Sequence, residues 1–133
     1  MVNPEKVHGL LRHLGAAVDQ LRQIAQMNHQ RFLGDSLALG AAKYYLQTAI
    51  EACIDIGNHI ISTYGYEAPQ DYADIFIILS KHNVLPKDFA EELTNMARFR
   101  NRLVHVYWDI DISRVYNLIQ TKLDDFEKFK HHI

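Results

Sequence analysis

The sequence has a single cysteine, Cys53, so no intrachain disulfide can form, and no paired zinc-ligand spacing is present. No apolar run approaches the roughly 20 residues that cross a bilayer. The opening, MVNPEKVHGL, carries no signal-peptide pattern. These absences predict a cytoplasmic protein with no membrane partner. There is no excess of positive charge either. Lys and Arg total 14 against 16 Asp and Glu, a net charge of −2 with the histidines neutral. A general polyanion binder needs a broad basic face, so that class is excluded, whereas a small local basic site is not. Internal repeats, low-complexity tracts, linkers and strand-like period-two alternation are also missing.

What is present is helical periodicity. The 133 residues suit one domain, 1–133, long enough to bury a core, and the apolar fraction of 48% argues against disorder. Val7, Leu10, Leu11, Leu14, Ala17, Val18, Leu21, Ile24 and Ala25 recur at three- and four-residue steps, one stripe of an amphipathic helix. Asn3 before Pro4 signals its start. The pattern fades near NHQRFLGD. Asp35 or Ser36 can cap a second long helix, running to about Tyr64. Its apolar stripe includes Leu46, Ile50, Cys53, Ile56, Gly57 and Ile60. Another side carries Tyr44, Gln47, Glu51, Asp55, Asn58 and Ser62. Gly65 and Pro69 break it. A short helix follows from about Tyr72 to Lys81, then a fourth from near Pro86, and a last from about 112 to 130. The expectation is all-α: a compact bundle of about five helices, four long and one short.

One stretch breaks the ordinary pattern: RFRNRLVHVYW, residues 98 to 108. Along the fourth helix the buried stripe runs Phe89, Leu93, Met96 and then Arg100. A guanidinium on that register either lies at a rim with its head in water, or meets acidic or phosphate groups in a buried site. His105 is five residues on, roughly 140° around an ideal helix. The two side chains converge only if the helix loosens near His105 or if two subunits share a cleft. Trp108 reads as core or interface. Glu51 and Asp55, spaced i,i+4, share a face that either is solvated or supports this site by holding Arg100 or fixing the His105 tautomer. The remaining histidines, His8, His13, His29, His59, His82, His131 and His132, show no metal-ligand pattern, and surface roles are expected for most.

RNRLVHVY fits R-x4-H-x-Y, and in this the chain resembles the HepT-like branch of the HEPN superfamily. Arg100, His105 and Tyr107 fall on the motif positions. The similarity extends in order through AIEACIDIGNHII, DYADIFIILSKHNVLP and DFAEELTNMARFRNRLVHVYWDID. The resemblance implies a HEPN-like helical fold and the toxin of a type VII toxin–antitoxin pair. It implies a metal-independent endoribonuclease acting as a homodimer, with the motifs of two subunits in one cleft. It also implies an antitoxin partner, a minimal nucleotidyltransferase of the MntA type, that neutralises the toxin by adenylylating Tyr107.

The chemistry of these residue types agrees. Metal-free RNA cleavage uses the ribose 2′-OH as nucleophile and needs no cofactor. Histidine, with its ordinary pKa near neutrality, suits the proton transfer. Arginine suits the charge of a five-coordinate phosphate, and Tyr107 can orient phosphate or stack on a base. Arg98, Asn101 and Arg102 are candidates for RNA or phosphate contacts or support. A focused basic cleft can attract RNA to a net-negative protein. The rival reading is a non-catalytic HEPN module that binds a nucleotide or a nucleotidyltransferase partner.

Overall fold

Helix α1 (Pro4–Ile24) begins where its sequence signals a start. Asn3 Oδ1 accepts from the Glu5 and Lys6 N–H groups at 3.1 and 3.3 Å, and Pro4 occupies the first turn, where its missing N–H costs nothing. The computed structural model describes residues 3–133; Met1 and Val2, the head of the opening read for a signal peptide, lie outside them. α1 buries Val7, Leu14, Ala17, Val18 and Leu21. Where the pattern fades, a short α2 (His29–Leu33) forms. Asn28 caps it, and Phe32 is fully buried. Five residues are too few for periodicity to reveal.

α3 (Ser36–Tyr64) is the central element. Asp35, not Ser36, caps it, accepting from the Ala38 N–H at 3.0 Å. Its 29 residues span about 43 Å, and it packs against α1, α4 and α5 as well as the shorter helices. It ends at Gly65, whose φ of 67° is left-handed and strained for any residue with a Cβ. α4 (Tyr72–Lys81) and α5 (Lys87–His105) form a packed pair beside it.

Gly57 lets α3 and α4 approach closely. A Cβ there would stand 2.7 Å from Ile75 Cγ2 and 3.2 Å from Leu79 Cδ1, both on fully packed side chains. Gly57→Ala should therefore lower the melting temperature. Overpacking costs about 1–3 kcal/mol, which outweighs the roughly 1 kcal/mol gained in helix propensity. Gly57→Val should lower it further. A rise in either variant's thermal unfolding curve would contradict this packing.

The expected last helix is in fact two, α6 (Ile112–Thr121) and α7 (Asp124–His132). Between them Lys122 leaves helical geometry, and the Asp125 and Phe126 N–H groups bond three residues back, to Lys122 and Leu123, at 3.1 Å each. The cause lies in the spacing of the core residues. Leu123, Phe126 and Phe129 are all buried, yet two three-residue steps on an ideal α-helix would swing the third about 120° away from the first. A local three-residue turn keeps them on one face. With α2, this makes seven α-helices and one 3₁₀ turn (Tyr107–Asp109) among the described residues, instead of about five helices, and no strand. The core is one continuous cluster in which Phe32, Phe76, Phe99, Phe126 and Phe129 are the largest buried side chains. Among the described residues no helix is long and apolar enough to cross a membrane.

Candidate active site

The last turns of α5 carry two faces with different surroundings. Arg98, Arg102 and His105, at steps of four and three residues, are all exposed and share a face. Arg100 faces the bundle, with its side chain only 14% exposed. Its Nη2 donates to Glu51 Oε2 at 2.8 Å, and its Nη1 donates to Asn101 Oδ1 at 3.1 Å. The guanidinium carbon stands 5.0 Å from the centre of the Tyr72 ring. Its Nε is buried and has no hydrogen-bond partner among the described residues. Of the two readings of Arg100, the acid-paired one describes this geometry.

Glu51 is the acid that takes Arg100. Asp55, one turn further along α3, is more open. Partial burial of its carboxyl, and then the nearby negative charge of Glu51, push it above the usual carboxylate range; Lys6 and Arg100 pull the other way. Glu51→Ala would leave a partly buried guanidinium without its anion. The pair lies between an exposed one, worth about 0–1 kcal/mol, and a buried one, whose breakage costs about 3–5 kcal/mol. A loss of about 1–3 kcal/mol is expected in urea unfolding, and an unchanged midpoint would show that solvent screens the pair.

His105 is the final residue of α5. The Arg102 guanidinium in the last turn suits the negative end of the helix. The helix is regular through His105 and leaves helical geometry only at Val106, with φ −131° and ψ 43°. Loosening therefore does not bring His105 round to Arg100 within one chain. Among the described residues the His105 ring makes no hydrogen bond or ion pair. Tyr107 follows in the 3₁₀ turn, 49% exposed. Its carbonyl accepts from Lys43 Nζ at 3.1 Å, and the same ammonium stands 4.3 Å from the ring centre. Trp108 is 83% exposed, so it is not core.

The sequence reading missed Lys43 and Tyr72. Lys43 had a signal: it begins the four-residue row Lys43, Gln47, Glu51, Asp55 on α3. Tyr72 had none, since its place over Arg100 depends on how α4 packs.

His105 and Tyr107 are exposed, whereas Arg100 is partly buried. A cleft of about 620 Å³ is lined by His8, Leu11, Arg12, Asp19 and Lys130 among others, and one of about 300 Å³ lies beside Asp55 and Lys6; neither includes Arg100, His105 or Tyr107. Among the described residues no three of His, Cys, Asp and Glu lie close enough to hold a metal ion. Burial drives the Cys53 thiol far above its usual range, which makes it a poor nucleophile. His59 accepts from the Asn3 N–H at 3.0 Å, and His82 pairs with Glu67 at 2.7 Å, away from the motif.

The profile of the HepT-like ribonucleases matches residues 14–133. The chain is 34% identical to the mRNA nuclease HepT of Shewanella oneidensis over 105 residues, 79% of this chain and 75% of that one. It is 26% identical to the tRNA nuclease HepT of Aphanizomenon flos-aquae over 132 residues, 99% of this chain and 90% of that one. A solved structure of a tri-AMPylated Shewanella oneidensis HEPN toxin in complex with MNT antitoxin superposes with a TM-score of 0.90. Its identity is 26%, covering 98% of this chain and 97% of that one. By profile, by sequence and by fold, the chain belongs to the HepT-like ribonuclease family of the HEPN superfamily.

Proposed function

We propose that this chain is the toxin of a type VII toxin–antitoxin pair, an endoribonuclease that cleaves RNA without a metal at Arg100, His105 and Tyr107. In this reading His105 takes the proton of a ribose 2′-OH. The 2′-oxygen attacks the adjacent phosphorus, and the bond to the 5′-oxygen breaks. A second, protonated histidine gives its proton to that oxygen. The products are a 2′,3′-cyclic phosphate and a free 5′-OH. Arg100 carries the charge on the phosphate in transit. Glu51 and Asn101 engage one N–H on each terminal nitrogen, which leaves a second N–H on each, besides the buried Nε–H, for phosphate. Arg98 and Arg102 attract the RNA backbone.

The second histidine comes from a second chain. The observation that carries this reading is the divergence of Arg100 and His105 on a helix that stays regular to its end. Within one chain they serve opposite sides, so a single cleft needs two copies. Val104, Tyr107 and Trp108 expose apolar surface beside the motif, as a homodimer face would. Control falls to a partner of the MntA type, a minimal nucleotidyltransferase that adenylylates Tyr107. The relative that superposes so closely is both AMPylated and bound to an MNT antitoxin.

Purified protein incubated with total RNA in EDTA tests the reading. Discrete cleavage products are expected. Binding without cleavage would favour a non-catalytic module instead.

A further inference from the structure

Lys43 is a buried cation served by one residue. It is 8% exposed, and among the described residues it makes no ion pair. Its ammonium is compensated by the carbonyl and the ring face of Tyr107, 64 residues away in sequence. A buried ammonium is costly unless such contacts offset the lost water.

Tyr107 depends on the contact as much as Lys43 does. The turn Tyr107–Asp109 buries none of its side chains and has no side-chain cap. Backbone bonds from the Val106 N–H to Arg102 O and from the Asp109 N–H to Val106 O, both 2.9 Å, tie the turn to the end of α5 and to itself. They leave the direction of the tyrosine ring free. Lys43 fixes both the carbonyl and the ring. It does so from α3, the helix that holds Arg100 through Glu51 eight residues later, about 12 Å along the axis. One rigid helix thereby spaces the two ends of the motif.

We infer that Lys43 is a positioning residue, holding the Tyr107 hydroxyl in register with the rest of the R-x4-H-x-Y site. Its catalytic consequence rests on the ribonuclease reading above. Its structural consequence does not, so the test reads both. Protein labelled with fluorotyrosine gives a fluorine NMR signal for each tyrosine, and the line absent from Tyr107→Phe identifies Tyr107. Lys43→Met keeps the stem and removes the charge. It should move the Tyr107 line, and should lower kcat for RNA cleavage by about 10- to 100-fold with KM little changed, since a misplacement of about 1 Å can cost about 100-fold. Lys43→Arg restores a cation and should return the line toward its original position and recover most of kcat. Lys43→Gln repeats the test should Lys43→Met lose its helical circular dichroism. If wild-type protein cuts no RNA while the line still moves, the ribonuclease reading fails and the placement of Tyr107 stands. A Tyr107 line unmoved by loss of the charge, or moved with kcat unchanged, overturns the assignment.

Discussion

His105→Ala is expected to lower the rate of RNA cleavage by about 10²- to 10⁴-fold, the range for loss of a general acid or base. The fall should be in kcat, because the proton transfer is made only in the transition state, and among the described residues the exposed ring has no partner to lose. For the second reason its stability should stay within about 0.5 kcal/mol of wild type, which makes it the cleaner of the two motif variants. Arg100→Ala should be as inactive, but it also removes the partner of Glu51, so its unfolding curve must be measured beside its rate. Arg100→Lys separates the two effects. It keeps a charge for Glu51 but not the planar fork that holds two phosphate oxygens, so it should fold well and remain slow. Expression in a host without the antitoxin gives the same contrast as growth. If His105→Ala and Arg100→Ala stay as toxic as wild type at equal abundance, the assignment of both residues is wrong.

The second large effect concerns silencing. Co-expression with a nucleotidyltransferase of the MntA type should add mass to this chain in multiples of one AMP, and Tyr107→Phe should abolish every addition. In the proposed transfer the Tyr107 phenol oxygen, giving up its proton to solvent, attacks the α-phosphorus of ATP; the bond to the bridging β-phosphate oxygen breaks and pyrophosphate leaves. Each AMP brings bulk and about one negative charge, which competes with RNA for the arginines. The other tyrosines are graded controls. Tyr116 donates its hydroxyl to Met27 O at 2.7 Å and is half-buried. Tyr45 packs edge-on against Tyr44. Tyr44 is 61% exposed, more so than Tyr107, so exposure alone would favour it. Peptide mass spectrometry that finds AMP on Tyr44, or full neutralisation of an active Tyr107→Phe toxin with no modification, would contradict the mechanism and leave occlusion by the partner.

Local signals in the sequence carried much of the fold. The Asn3–Pro4 start of α1, the stripe of α3 and the buried face Ile75, Phe76, Ile78 and Leu79 of α4 each depend on residues a turn or two apart, which periodicity reads directly. The break after Thr121 is hidden because Val115, Ile119 and Leu123 keep an apolar rhythm across it; only the change of step from four to three at Leu123, Phe126 and Phe129 marks the tighter turn. In the site, the odd register of Arg100 was legible, and Glu51 was one of two candidates for its partner. The choice between Glu51 and Asp55 was not, because it depends on the packing of α5 against α3. For Lys43 the sequence holds only the four-residue row that it opens on α3; its contact with Tyr107, 64 residues on, depends on the tertiary fold. Trp108 reads by type as core or interface, and its turn, which buries none of its side chains, excludes the core.

If the proposed site cuts RNA through the 2′-hydroxyl of its substrate, the cut ends carry the chemistry of that attack. Cleavage of a defined RNA by the purified wild-type protein in EDTA should give a 2′,3′-cyclic phosphate on one fragment and a 5′-OH on the other. Cleavage should cease when the nucleotide at the cut carries a 2′-O-methyl group. Fragments with a 5′-phosphate, or equal cleavage of the 2′-O-methyl substrate, would contradict the account.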